Sequence, residues 1–334
     1  MSGHPARTGF CVLNPGGRDR FQSFREGVGT PDSAGHPPVN FHAYAACLGG
    51  TFASSLSEVA PDVGTVLLLL RPRHLAKALR ACRALRALGI RVLISWKESG
   101  AAQVAQALTV PGCWKFFRQI AFECDGYLSA VPGLTSLYEV AGCKSGVFAP
   151  TPYPVDIPAW NFENPLKKRS GILIGTREFD IPARNHLLAL CASARTGGPV
   201  TVLDSGSRLS CSLLADLPFV SDVVRGPLPY PEYLRLMAAH RIVFQMDSGV
   251  VPGQVAGDAL LCRMPCVGGT GTIETLAFSQ LAGGPENAQE LVARAMRLMR
   301  DDDFWHQTVA ASQETAQNSL SFHVIAGQLK ALLT

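Results

Sequence analysis

Residues 226–274 read GPLPYPEYLRLMAAHRIVFQMDSGVVPGQVAGDALLCRMPCVGGTGTIE, and this stretch decides the fold. Tyr230, Leu234, Met237 and Ala238 recur at helical spacing, and a short apolar run, 242–246, follows them. A loop bearing Gly249, Pro252 and Gly253 leads to a second helix, then to a strand at 265–267 that ends in a glycine turn at 268–272. That order is β/α alternation with polar and glycine-rich residues gathered at strand ends. Open α/β sheets place their ligand sites there.

The same alternation extends outward in both directions. Strands are expected at 9–14, 66–70, 91–95, 126–130 and 146–149, then at 171–176, 200–204 and 219–224. Helices are expected between them, including 72–88, 182–194 and 209–217, and 18–38 reads as a long loop rich in Gly, Pro and charge. Pro150, Pro152 and Pro154 cannot continue a helix or a central strand, so they mark a boundary. At 334 residues the chain exceeds the ~250–300 at which single cores stop growing. The expectation is an α/β protein of two facing Rossmann-like domains, 1–155 and 156–320, with parallel sheets and a cleft between them. A closing helix would occupy 321–334.

Composition narrows the function classes. A chain 47% hydrophobic and 17% charged is a core-forming globular protein. It holds no apolar run long enough to span a bilayer, and MSGHPARTGF has no signal-peptide core. Ten cysteines without a CxxC pair or zinc-like spacing read as reduced thiols of a cytoplasmic protein. The net charge is +4, but residues 1–160 hold 15 Lys+Arg against 10 Asp+Glu, whereas 161–334 hold 15 against 16. Much of that basic excess lies on helix 72–88, which carries Arg73, Lys77, Arg80, Arg83 and Arg86 opposite an apolar face. A solvated face is the plain reading, with an anionic acceptor or peripheral contact with an anionic membrane as the functional one. No interleaved aromatic set or motif points to nucleic acid.

Several residues suit a diphosphate. The helix that starts near Gly253 offers unpaired N–H groups and a positive dipole end. Gly268, Gly269 and Thr270 offer more N–H groups, unless the glycines serve only the turn. Arg177 and Arg184, just past the strand at 171–176, could neutralise such a group through bidentate contacts. Asp258 sits in a helix that is apolar almost all round, so it should meet either a ribose diol or an internal salt bridge. Asp301, Asp302 and Asp303 fall between two late helices and read as a helix cap rather than a metal site.

Taken together, residues 226–274, GILIGTREFD (171–180), CDGYLSAVPG (124–133) and SGVFAPTPYPVD (145–156) resemble the group 1 (family 4-like) glycosyltransferases of GT-B fold. The resemblance covers nearly all of 126–333 and is strongest at 226–274. It implies sugar transfer from a nucleotide-diphosphate donor to a glycan, lipid-linked or small-molecule acceptor. It implies no required metal or other cofactor. By position, Gly253 and Gln254 would lie beside the donor diphosphate, Asp258 at the ribose, and Arg177 and Arg184 at the diphosphate. Gly16 and Gly17 would form the N-terminal glycine loop facing the donor, and 227–230 would run near the base. The family's sugar-holding Glu falls on Val250, and its N-terminal-domain His has no match. Asp247 is the candidate substitute for that Glu, and Asp19 and Glu98 are candidate bases. Alternatives are a non-catalytic nucleotide-binding relative or partner subunit, and a nucleotide-sugar epimerase of the same fold. A dinucleotide dehydrogenase fits less well, because no GxGxxG follows the first strand.

Overall fold

The computed structural model describes residues 7–33, 35–97, 100–175, 179, 181–204 and 213–333. The chain divides into two compact units, the first running to Pro154 and regaining the C-terminal helix, the second spanning Val155–Ser321.

The first unit carries strands β1 (Gly9–Leu13), β2 (Gln22–Ser23), β3 (Thr51–Ala53), β4 (Val63–Leu70), β5 (Arg91–Trp96), β6 (Gly126–Ser129) and β7 (Gly146–Phe148). They form one sheet of order β2-β3-β1-β4-β5-β6-β7, parallel except for the β2–β3 pair. Helices α1 (Asn40–Cys47), α2 (Leu75–Ala87), α3 (Ala101–Leu108), α4 (Cys113–Glu123) and α5 (Thr135–Ala141) connect them. β4 lies between β1 and β5 and is covered on both faces, which is why VGTVLLLL is almost continuously apolar. β2 falls inside the expected long loop, since two residues are too short to show a period of two.

The second unit carries β8 (Ile172–Ile174), β9 (Val200–Asp204), β10 (Val220–Arg225), β11 (Ile242–Phe244) and β12 (Cys266–Val267), all parallel, in the order β10-β9-β8-β11-β12. Its helices are α6 (His186–Ser193), α7 (Tyr230–Ala238), α8 (Gln254–Leu261), α9 (Thr272–Ala277), α10 (Ala288–Arg300) and α11 (Asp302–Ser319). Counted within the unit, the strand order is the 3-2-1-4-5 of a Rossmann sheet, with its switch point between β8 and β11. Helix α12 (Phe322–Leu333) returns to the first unit and packs on α1. The α/β expectation with two parallel, Rossmann-like sheets therefore holds.

Two expected elements differ in detail. The helix expected at 182–194 is interrupted, because Asn185 takes a left-handed conformation (φ 49°) and α6 starts only after it. Residues 209–212 of the helix expected at 209–217 lie outside the described residues. The acidic triplet is a cap: the Asp301 side chain accepts the Phe304 N–H at 2.9 Å, and Asp302 pairs with Arg241. Among the described residues, no helix is long and apolar enough to cross a membrane.

Gly268 shows how tightly the strand ends pack. Its φ is +82°, and a Cβ there would overlap the Gln245 carbonyl oxygen. Gly268→Ala is therefore expected to cost more than about 2 kcal/mol, combining backbone strain with overpacking. Urea unfolding of the variant measures it, and a loss below about 0.5 kcal/mol would show that the turn relaxes freely.

Candidate functional site

Several of the expected residues lie around the switch point of the second sheet. β8 ends at Ile174 and β11 at Phe244, and their carboxyl ends lie side by side. Gly175 follows β8, and any side chain there would run into Val255 of α8 and Val243 of β11, so this glycine lets helix and strand close together. The chain after β8 is tied to the chain after β11 by a small network. Ser248 N–H donates to Ala183 O at 2.8 Å, and Asn185 Nδ2 donates to Met246 O and to Ser248 Oγ, each at 3.0 Å. This network carries Arg184 onto Asp247, where the guanidinium donates to Oδ2. The Gly249 N–H donates to Oδ1 at 2.7 Å. Both Asp247 oxygens are thus committed to the protein. The carboxylate therefore positions Arg184, whatever part it takes in holding a sugar.

The glycine turn also departs from expectation. Gly268 N–H donates to Leu281 O, Gly269 N–H to Gly283 O and Thr270 N–H to Asp247 O, at 2.8, 2.7 and 2.9 Å. With these donors occupied, Gly268, Gly269 and Thr270 hold loops together and do not form a diphosphate cradle. The first turn of α8 differs. Gly253 (φ +96°) precedes it, and no backbone partner receives the Val255 or Ala256 N–H among the described residues. Gly253 itself is buried beneath Glu274, whose Oε2 occupies the space a Cβ would need.

Asp258 is 1% exposed in α8 and accepts a hydrogen bond from the Tyr230 hydroxyl at 2.5 Å. One internal partner of this carboxylate is thus a phenol. Tyr230 begins α7, directly after Pro227–Pro229, and Trp160 lies 6.4 Å from its ring. Gln254 is the first residue of α8. Arg177 lies outside the described residues, as does Glu98.

Sequence reasoning missed Glu274. It is 1% exposed, Gln245 Nε2 donates to its Oε1 at 2.8 Å, and its Oε2 has no hydrogen-bond partner. Burial pushes its carboxyl up to about 7, and the nearby Asp247 charge adds to this while Gln245 and Arg184 oppose it. The signal in sequence was slight: a Glu in the first turn of a short helix reads as ordinary dipole compensation.

In the first unit, the turn after β1 places Asp19 against Asn14, whose Nδ2 donates to Oδ2 at 2.7 Å, with Lys97 Nζ 3.9 Å away. The expected glycine loop donates inward here too, Gly16 N–H to Ser54 O and Gly17 N–H to Asn14 O at 3.3 and 2.9 Å. The backbone N–H groups of Gly16 and Gly17 are therefore committed to the protein. On α2, Arg83 pairs with Glu123 of α4, and Arg86 with Asp125. Part of the basic face is thus committed to the protein.

Two parallel Rossmann-like sheets, the second of order 3-2-1-4-5 with a polar switch point, define a GT-B-type fold. Among the solved structures this chain resembles is HepE (Alr3699) of Anabaena in complex with UDP and glucose, at TM-score 0.61 and 13% identity, with 81% of this chain and 78% of that one covered. A sucrose-phosphate synthase of Thermosynechococcus elongatus gives TM-score 0.64 at 15% identity, covering 88% and 75%. A glycosyltransferase of Rickettsia africae gives 0.61 at 14%, covering 81% and 76%. No family model and no curated protein sequence matches the chain.

Glu274 makes a pH signature. Between its usual 4.5 and its native value of about 7, the folded protein holds a proton that the unfolded chain has released. Stability should therefore fall as pH rises through that window, by roughly 3 kcal/mol in all. Glu274→Gln should flatten this slope and be the more stable form at pH 8. Equal slopes for variant and parent in urea unfolding at pH 5, 6, 7 and 8 would show that Glu274 does not titrate there.

Proposed function

We propose that the protein is a glycosyltransferase of the group 1 type, moving a sugar from a nucleoside-diphosphate donor held by the second unit to a sugar-type acceptor. One observation carries the reading: the switch point between β8 and β11 gathers a half-buried guanidinium, Arg184, the open first turn of α8 and the buried Asp258 with its Tyr230 partner. A diphosphate needs cation and dipole, and a ribose needs a buried hydrogen-bond acceptor. Arg184, Arg177 and the positive end of α8 would neutralise the leaving diphosphate, the task a metal would otherwise perform, so the reaction would need none. Gln254 would adjoin the diphosphate and Asp258 the ribose diol. The fold it shares with HepE, whose structure holds UDP and glucose, supports a nucleotide-sugar donor and makes UDP the first to test.

A second reading has its own support. Val250 stands where the resembled family has Glu, and Asp247 is tied to Arg184 and Gly249. Val250 is also held at φ 47°, a strained conformation for a β-branched side chain, and is 37% exposed. A nucleotide-binding relative without transfer activity would show these features. For peripheral membrane contact, support shifts from α2 to the exposed Trp114, Phe116 and Phe122 of α4.

Calorimetric titration with UDP tests the common part of both readings. Asp258→Asn keeps the size of the side chain and an acceptor for Tyr230 but removes the charge, so UDP affinity should fall about tenfold, or ~1.4 kcal/mol. Unchanged affinity would remove Asp258 from the site. Acceptor-dependent release of UDP from a UDP-sugar separates the enzyme from the binding relative.

A further inference from the structure

The first unit has its own unmet electrostatic demand. β1 and β4 are parallel neighbours, so the turn after β1 and the start of α2 lie at the same sheet edge. Gly16 has φ +75°, and His74 Nδ1 and Lys77 Nζ each stand 3.0 Å from the place a Cβ on it would occupy. Both side chains thus converge on one glycine. α2 starts here with no acidic residue in its first turn and no side-chain cap. Arg71, Arg73 and Lys77 crowd its positive end, and none has an ion-pair partner among the described residues. Cations at a helix N-terminus are unfavourable unless an anion joins them. Burial and these same three charges hold His74 below its ordinary range, so the cluster lacks a counter-charge.

A second observation is independent of the helix. Asn14 is 0% exposed and its Oδ1 has no hydrogen-bond partner. Its amide group fills the space where a Cβ on Gly17 would sit, so it lies directly under the same turn. His74 Nδ1 is likewise buried without a partner. Buried polar atoms left unmet are rare, and two of them flank this turn. A lone anion would satisfy Lys77 and His74 but not the Asn14 oxygen, which needs a donor such as a hydroxyl.

We propose that the turn Asn14–Gly17 and the start of α2 form a binding site for a phosphate monoester carried on a hydroxyl-bearing molecule. Lys77 and His74 bind the phosphate, with Arg71 and Arg73 supplying field, while Asn14 Oδ1 accepts a hydroxyl of the same molecule. Asp19, paired with Lys97, accepts from Asn14 Nδ2 and so fixes the amide orientation. If the glycosyltransferase reading is right, this molecule is the acceptor, and only that identification rests on it.

The test is calorimetric titration of the full chain with inorganic phosphate, glycerol 3-phosphate and glycerol, with and without saturating UDP. Glycerol 3-phosphate should bind more tightly than phosphate, and glycerol not at all. Lys77→Ala, an exposed position, should weaken both phosphates at least fivefold and leave UDP affinity unchanged. Asn14→Ala should weaken glycerol 3-phosphate but not inorganic phosphate. Absence of saturable phosphate binding, equal binding by Lys77→Ala, or displacement of phosphate by UDP would overturn the site. Lys77-dependent phosphate binding in a chain that ignores UDP would uphold the site and count against the glycosyltransferase reading. Vesicles containing phosphatidic acid distinguish the source: Lys77-dependent pelleting assigns the monoester to a lipid headgroup, and no pelleting assigns it to a soluble molecule.

Discussion

The buried pair between Arg184 and Asp247 is the interaction on which the second unit's site depends. Asp247 has 3% of its side chain exposed and Arg184 19%, so neither charge is met chiefly by water. A carboxylate in that position needs its cation, and breaking such a pair is far more costly than its net contribution suggests. The pair joins the segment after β8 to the segment after β11, the two sides of the switch point. Asn185 and Ser248 brace it from the flanks. With Asp247 holding the guanidinium, the Arg184 side chain is fixed in place before any ligand arrives, which is the preorganisation that the proposed diphosphate site would need.

The two sheet edges treat charge differently. In the second unit, cation and carboxylate are matched within the protein, and Glu274, close by, favours its neutral form. In the first, Asp19 answers Lys97, but nothing described answers Arg71, Arg73 and Lys77. Part of the basic excess of the first half therefore lies at the start of α2. Arg83 and Arg86, further along α2, are already tied to neighbours around α4.

Much of the fold was legible because hydrophobic runs such as 66–70 and 242–246 are long or flanked by clear breakers, and Pro150, Pro152 and Pro154 lie at the end of the first unit's N-terminal portion. β2 and β3 were not: QS is polar and TFA is only three residues, so neither makes an apolar run. The site was legible by residue type and less by role. Gly253, Arg184 and Asp258 do gather at one strand edge, but the glycines at 16, 17, 268 and 269 have their N–H groups turned inward. Sequence cannot tell a glycine needed for close packing from one needed for a ligand, because both demand the same missing Cβ. Glu274 and the His74–Lys77–Gly16 meeting depend on contacts between distant segments and left no local pattern to read.

Hydrogen–deuterium exchange of the full chain with and without saturating UDP tests nucleotide binding by the second unit most directly. Slower exchange is expected at 253–258 and 183–186, with residues 14–17 and 71–77 unchanged. Unaltered exchange at 253–258, or protection confined to the first unit, would contradict a donor site at the switch point between β8 and β11.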